Sequence, residues 1–147
     1  MAVVNLLDVN VMVALFDADH VHHDLAHDWF AEEGSAAWAT CPMTEAGFLR
    51  VVTNPAYRGS DVRASTLLSM LRRFCASKEH HFWSDAVSLR DAKQFDLSFI
   101  SGHQQLTDVY LVGLAHHMNG RLVTFDRTIP LKAVVGAKSD ALLVISA

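Results

Sequence analysis

Residues 3–16 have the sequence VVNLLDVNVMVALF, an almost wholly apolar stretch with a carboxylate, Asp8, in its middle. Residues 3–7 form a short run that is apolar on both faces, which is typical of a strand inside a parallel sheet. Residues 9–16 then follow a helical pattern. The stretch therefore predicts a buried strand followed by a buried helix, with Asp8 between them. Burying an unpaired carboxylate costs several kcal/mol, so another group must compensate the charge of Asp8.

The composition predicts one domain over residues 1–147. Half of the chain is hydrophobic (51%), and the mean hydropathy is +0.20. No apolar run reaches the roughly 18 residues that a bilayer-spanning helix needs, and no Lys or Arg precedes Arg50 to form an export leader. Cys41 and Cys75 lack the spacing of a metal-binding pair. We therefore expect a cytoplasmic protein with reduced thiols and no membrane contact.

The charge is distributed unevenly along the chain. The net charge is −4, and residues 1–49 contain no Lys or Arg, so all twelve basic residues lie after them. A chain without an overall basic footprint is unsuited to indiscriminate binding of a nucleic-acid backbone. A nuclease whose acidic residues are offset by a bound metal remains compatible with this charge.

Strand and helix patterns alternate through the rest of the chain. Further strands are predicted at residues 36–40, 80–83, 121–125 and 141–146, and further helices at 22–34, 44–53, 60–76 and 107–120. Residues 84–105 fit neither pattern and predict short helices and loops. This alternation indicates an α/β fold with a parallel sheet of roughly five strands, flanked by helices on both sides.

Four carboxylates occupy equivalent places in this pattern. Asp8 and Asp126 end predicted strands, whereas Glu45 and Asp108 each follow a Thr at the start of a predicted helix. Strand carboxyl ends and the helices that follow them meet at one edge of a parallel sheet. Each acid alone could be an ordinary cap or turn residue. Like charges about 4 Å apart repel by about 4 kcal/mol, so the group predicts a bound cation. An all-oxygen site favours Mg²⁺ or Mn²⁺.

Three segments in this order, LLDVNVMVAL, TEAGFLRVVTNP and LTDVYLVGLAHHMNGRLVTFDR, resemble the PIN-domain ribonucleases, specifically the VapC-type toxins of bacterial toxin–antitoxin pairs. The resemblance runs from about residue 4 to residue 146. It implies that Asp8, Glu45, Asp108 and Asp126 are the catalytic, metal-binding quartet, with Asp8 and Asp108 the most dependable ligands. It also implies a PIN-like fold, Mg²⁺-dependent cleavage of RNA, a homodimer and a small antitoxin partner.

The expected reaction is in-line attack of a metal-activated water on an RNA phosphodiester, which leaves a 5′-phosphate and a 3′-hydroxyl. One of the carboxylates is a candidate to accept the proton of the water. Candidates to orient the acids through hydrogen bonds are Asn10, Thr44, Thr107 and Thr124. Candidates for RNA contact are Arg127, Arg50 and Arg58. Capping, strand propensity and surface ion pairs explain these residues equally well.

Several other interpretations stay open. A phosphatase built on a strand-end Asp needs a second acid two residues later, where this chain has Asn10, and a receiver-like domain needs a Lys where it has Arg127. His23 and His27, one helical turn apart, could bind zinc but lack a third ligand. Within the PIN-like interpretation, the alternatives to a toxin are a housekeeping RNA-processing nuclease and a module that binds RNA or protein without cleavage.

Overall fold

A computed structural model describes residues 2–57 and 61–146. Across these ranges the regular elements alternate as the sequence pattern predicts. The strands are β1 (Asn5–Leu7), β2 (Trp38–Thr40), β3 (His80–Phe82), β4 (Arg121–Thr124) and β5 (Leu142–Val144). The α-helices are α1 (Val9–Phe16), α2 (His23–Glu32), α3 (Pro42–Thr53), α4 (Ala64–Phe74) and α5 (Gln105–His117).

The strands form one parallel sheet in the order β3-β2-β1-β4-β5. The central strand is β1, where Asn5 lies between Trp38 of β2 and Arg121 of β4. Every residue of β1 is buried, which explains why the sequence there is apolar on both faces. The predicted five-stranded parallel sheet is confirmed.

Helices cover both faces of the sheet, as predicted. Leu6 and Leu122 point to the face covered by α5, where they join Leu111 and Leu114 in one buried cluster. Leu7 of the same central strand points to the other face. There α1 packs against α2 and α3, and α3 packs against α4. Alternate residues of each strand therefore serve two separate apolar clusters.

Local capping sets the start of two helices next to the strand ends. The side chain of Asp8 accepts a hydrogen bond from the backbone N–H of Val9 (2.8 Å) and so caps α1. In α3, Pro42 occupies the first turn, and Thr44 Oγ1 accepts from the backbone N–H of Cys41 (3.0 Å). Both helices thus begin at the carboxyl end of the strand that precedes them.

The predicted boundaries differ from the observed ones at several places. Helix α3 begins two residues before the predicted 44, because Pro42 favours the first turn of a helix. Helix α4 is shorter than the predicted 60–76, and residues 58–60 lie outside the described residues. Residues 84–104 consist of loops and turns with one 3₁₀ turn, Leu97–Phe99, and α5 begins at Gln105, two residues before the predicted 107. Among the described residues, no helix combines the length and the apolar character needed to cross a bilayer.

A tight backbone approach at Gly120 yields a stability prediction. A Cβ atom at Gly120 would lie 2.5 Å from the carbonyl oxygen of Val4 and 2.7 Å from the ring of Trp83. The Val4 carbonyl belongs to the backbone next to β1 and cannot move away easily. We therefore expect Gly120→Ala to lower the free energy of unfolding, measured by urea denaturation, by about 1–3 kcal/mol. Gly102→Ala is the matched control, since a Cβ there meets nothing within 4 Å. Equal stability of the two variants would contradict this packing.

Candidate active site

Asp8 lies at the carboxyl end of β1 with 6% of its surface exposed. One oxygen, Oδ1, accepts from the backbone N–H of Val9 (2.8 Å), and the other, Oδ2, accepts from the hydroxyl of Thr124 (2.7 Å). Burial raises the pKa of Asp8, and these two hydrogen bonds oppose that rise. The carboxylate is therefore held in one orientation by its own helix and by the neighbouring strand.

Asp126 lies just beyond β4 and connects to the same hydroxyl. Its backbone N–H donates to Thr124 Oγ1 (3.1 Å), and its Oδ1 accepts from the N–H (2.8 Å) and the hydroxyl (2.7 Å) of Thr128. The bonds from Thr128 lower the pKa of Asp126. Asp126 is thus a fixed and charged carboxylate beside Asp8.

Asp108 brings a third carboxylate from the first turn of α5. Burial raises its pKa to about 7, and the negative charges of Asp8 and Asp126 add to the rise. In its protonated form Asp108 donates a hydrogen bond to Asp126, which raises its pKa further. Three elements therefore direct three aspartates to one place, where they repel each other unless a proton or a cation is bound. Their oxygen-only donor set fits a hard divalent ion.

Glu45 lies with a different set of side chains. Its Oε2 accepts from the hydroxyl of Thr40 (2.7 Å). Burial raises the pKa of Cys75 to about 11, and the charge of Glu45 adds to that rise. Burial lowers the pKa of His80, and the charge of Glu45 opposes that change. Glu45 is not among the groups that shift the pKa of Asp8, Asp108 or Asp126. Thr40, to which Glu45 is bonded, lies on the opposite face of the sheet from Thr124, to which Asp8 is bonded. The structure brings together three of the four predicted carboxylates.

Of the predicted orienting residues, Thr124 bonds directly to an aspartate. The expectation for Thr44 is not met, because its hydroxyl is bonded to the backbone N–H (3.0 Å) and carbonyl (3.1 Å) of Cys41, where it caps α3. Asn10 and Thr107 are exposed on α1 and α5.

The predicted RNA-contacting arginines lie on the surface where the structure describes them. Arg127 is exposed directly after Asp126, and Arg50 is exposed in the last turn of α3. Arg58 lies outside the described residues. The two described arginines are thus accessible to a ligand, and Arg127 adjoins the aspartates.

Sequence reasoning overlooked the residues around Glu45. Thr40 Oγ1 lies 2.8 Å from His80 Nε2, and Cys75 joins Glu45 and His80 in a compact group. The sequence offered one signal for this group. The predicted strands at 36–40 and 80–83 bring Thr40 near His80 if the two strands are neighbours in the sheet. His23 and His27, the alternative zinc ligands, lie elsewhere, and His23 Nδ1 donates a hydrogen bond to the carbonyl of Ala14 (2.7 Å). Within residues 2–57 and 61–146, the histidine-rich segment gathers no group of three metal ligands.

Fold and site together define a class: a three-layer α/β protein with an acidic centre at the carboxyl end of a parallel sheet. The PIN-domain family model matches residues 6–135. The chain therefore belongs to the PIN-domain family, as the resemblance in its motifs predicted.

Close relatives are known within this family. The chain is 41% identical to Ribonuclease VapC44 of Mycobacterium tuberculosis over 140 residues, which cover 95% of this chain and 98% of that protein. It is 44% identical to Ribonuclease VapC38 of the same organism, over 82% of this chain and 84% of that protein. The crystal structure of M. tuberculosis VapC20, a sarcin-ricin loop cleaving toxin, has the same fold: the TM-score is 0.60 at 13% identity, over 91% of this chain and 98% of that chain.

The raised pKa of Asp108 yields a prediction about stability and pH. The folded protein holds this proton more tightly than the unfolded chain, so Asp108 destabilises the fold as the pH rises from about 4 to about 7. In the presence of a chelator, we expect Asp108→Asn to unfold at a higher urea concentration than wild type at pH 8. At pH 4 the two proteins should unfold at nearly the same urea concentration. Because the group is only half-buried, the gain at pH 8 is about 1–2 kcal/mol.

The control for this experiment is Asp96→Asn, an exposed aspartate whose pKa is lowered by hydrogen bonds from Ser98. That variant should show no gain in stability over wild type at pH 8. Adding Mg²⁺ at pH 8 should stabilise wild type and thereby narrow its difference from Asp108→Asn. If Asp108→Asn gave no gain in stability at pH 8, the raised pKa of Asp108 that burial and the neighbouring aspartates produce would be refuted.

Proposed function

We propose that this protein is a Mg²⁺-dependent endoribonuclease and the toxin of a toxin–antitoxin pair. The observation that carries the proposal is the convergence of Asp8, Asp108 and Asp126 from three separate elements, where burial and then the charges of Asp8 and Asp126 raise the pKa of Asp108 to about 7. The names of the relatives support the substrate class, since VapC44 and VapC38 are ribonucleases. The proposal extends that activity to this chain.

The three aspartates would hold the ion, Mg²⁺ or in its place Mn²⁺. When bound, such an ion lowers the pKa of a coordinated water and offsets the charge that develops on the phosphate. Glu45 would complete the site through an intervening water or after leaving Thr40, since its Oε2 is hydrogen-bonded to that hydroxyl (2.7 Å). The donors are oxygens throughout, which favours Mg²⁺ over softer metals.

The residues around the aspartates have distinct tasks in this proposal. Thr124 fixes Oδ2 of Asp8, and Thr128 fixes Oδ1 of Asp126, so the two carboxylates keep their orientation during the reaction. Arg127 would bind a phosphate of the RNA close to the aspartates, and Arg50 would bind the strand further away. Hydrolysis at the bound phosphate leaves a 5′-phosphate on one fragment and a 3′-hydroxyl on the other.

The proposed partners are the RNA substrate, a cognate small antitoxin and a second copy of the chain, all in the cytoplasm. Their support is family likeness: relatives of this chain are VapC ribonucleases, and VapC20, a protein of the same fold, is a toxin. Growth arrest on expression, relieved by co-expression of a small neighbouring gene, would distinguish a toxin from a housekeeping RNA-processing nuclease.

One observation favours a second candidate, a PIN-like module that binds RNA or protein without cleaving it. Glu45 is bonded to Thr40 and does not join the aspartates. A site with three carboxylates could hold an ion and yet position a phosphate poorly. Binding of RNA that stays intact with Mg²⁺ and with Mn²⁺ would support this candidate against the nuclease.

Asp8→Asn tests the nuclease directly. It removes one negative charge and keeps a side chain of the same size at the hydrogen bond from Thr124. We expect cleavage of structured RNA hairpins in Mg²⁺ to fall by at least about 100-fold, because a charge that stabilises the reacting centre is lost. EDTA should abolish wild-type cleavage. Asp24→Asn, an exposed change of the same charge in the first turn of α2, should cleave like wild type.

Thr124→Val tests how Asp8 is held. It removes a hydroxyl that donates to Asp8 Oδ2 (2.7 Å) and accepts from the N–H of Asp126 (3.1 Å). Loss of such a partner typically weakens a metal site by about 10–100-fold, and we expect this loss in the Mn²⁺ affinity measured by electron paramagnetic resonance. Thr124→Ser keeps the hydroxyl and should restore most of the affinity. Equal Mn²⁺ affinity in Thr124→Val and wild type would exclude a positioning role.

A further inference from the structure

Glu45, Cys75 and His80 form a compact group of chemically different side chains. One ligand atom from each, a carboxylate oxygen, the thiol sulfur and an imidazole nitrogen, all lie within 4.8 Å of one another. The three residues come from the first turn of α3, the end of α4 and the start of β3. All three side chains are partly buried, so a small ligand can reach them while the surrounding elements fix their positions.

This donor set differs in kind from that of the aspartates. Zn²⁺ binds thiolate sulfur at about 2.3 Å, and imidazole nitrogen and carboxylate oxygen at about 2.0–2.2 Å, in tetrahedral sites. Mg²⁺ prefers oxygen ligands alone. Ligand atoms around one Zn²⁺ are therefore a little over 3 Å apart, so atoms already within 4.8 Å need only small side-chain rotations to reach it. A borderline-soft metal is the ion that such a group selects.

Thr40 connects the group by hydrogen bonds. Its hydroxyl donates to Glu45 Oε2 (2.7 Å) and lies 2.8 Å from His80 Nε2. Because the hydroxyl has a single proton, His80 Nε2 must carry a hydrogen and donate it to Thr40. A metal at Nε2 would take the place of that hydrogen, and the His80 ring would have to turn away from Thr40 to make room, because Thr40 Oγ1 lies only 2.8 Å from Nε2. Thr40 would stay bonded to the Glu45 carboxylate. Such hydrogen bonds to ligating carboxylates are usual around metal sites.

From this geometry we propose that Glu45, Cys75 and His80 form a Zn²⁺ site, distinct from the aspartates of Asp8, Asp108 and Asp126. Three protein ligands leave the fourth tetrahedral position to a water or an external ligand. Zinc in this site would hold Glu45 next to β3 and away from the aspartates, so in the Zn²⁺-loaded chain Asp8, Asp108 and Asp126 would hold the Mg²⁺ without Glu45. The Cys75 thiol is also hydrogen-bonded with Thr40, so a purely structural network could include it. A metal–thiolate bond, which only the Zn²⁺ site produces, separates the two explanations.

Cobalt substitution tests the site with a readout independent of RNA cleavage. We titrate Co²⁺ into the chelator-treated full chain and record the near-ultraviolet charge-transfer band that a cobalt–thiolate bond produces. We expect saturation at one equivalent and bleaching of the band by Zn²⁺. Cys75→Ser should lose the band, whereas Cys41→Ser, which changes a fully buried cysteine outside the group, should keep it. His80→Gln should bind Co²⁺ at least about 10-fold more weakly.

A second measurement uses only the wild-type protein, in case a variant fails to fold. Alkylation of Cys75 by iodoacetamide is followed by mass spectrometry, with the buried Cys41 as the internal reference for unfolding. Zn²⁺ should slow alkylation of Cys75 at least about 10-fold, and EDTA should reverse this, whereas Mg²⁺ should have no effect. Absence of the cobalt band in wild type, its persistence in Cys75→Ser, or unchanged alkylation with Zn²⁺ would overturn the proposal.

Asp8→Asn separates this inference from the proposed nuclease. That variant should lose RNA cleavage and keep the cobalt band with unchanged affinity, because Asp8 takes no part in the group around Glu45. Loss of the band in a folded Asp8→Asn variant would show that the cobalt–thiolate bond depends on Asp8 and would overturn a Zn²⁺ site separate from the aspartates. If wild type fails to cleave RNA and yet shows the band, the nuclease proposal fails and the Zn²⁺ site stands.

Discussion

The hydrogen bond from Thr124 to Asp8 joins the carboxyl ends of the two central strands, β4 and β1. A carboxylate as buried as Asp8 would be costly without donors, and this bond together with the N–H of Val9 supplies one donor to each of its oxygens. The same hydroxyl accepts from Asp126. One side chain thus fixes the spacing of two acids, and the acidic centre depends on this pair of strands staying in register.

Side-chain alternation divides the molecule's polar residues between two faces of the sheet. Thr124 follows Leu122 on the face covered by α5, and it meets Asp8 there. Thr40 shares the opposite face with Trp38, and it meets Glu45 and His80 there. A single parallel sheet therefore supports two groups of different chemistry near one end. The first group has only carboxylates, and the second combines oxygen, nitrogen and sulfur.

Much of this arrangement is readable from the sequence because it depends on strand ends. Asp8 and Asp126 each follow an apolar run, and the carboxyl ends of adjacent parallel strands share one edge. Asp108 joins them because α5, a helix that is buried along most of its length, starts close to that edge. The five strands and the two-sided helical cover follow from the same alternation of patterns.

The position of Glu45 could not be predicted in this way. A helical side chain can turn toward either neighbour of its first turn, and the choice depends on which layer its helix joins. Packing of α3 with α1 decided it here, and that contact joins residues far apart in sequence. The side-chain contact between Thr40 and His80 likewise depends on strand order, and the local pattern of β3 does not reveal that it lies beside β2.

The two outer strands, β3 and β5, contain three residues each. Short edge strands offer few unpaired amide and carbonyl groups. Natural proteins use them to avoid pairing with strands of other molecules. Phe82 on β3 is 57% exposed, yet the strand that carries it is too brief to template a continuous ladder. The sheet therefore offers another chain little edge onto which it could add a strand.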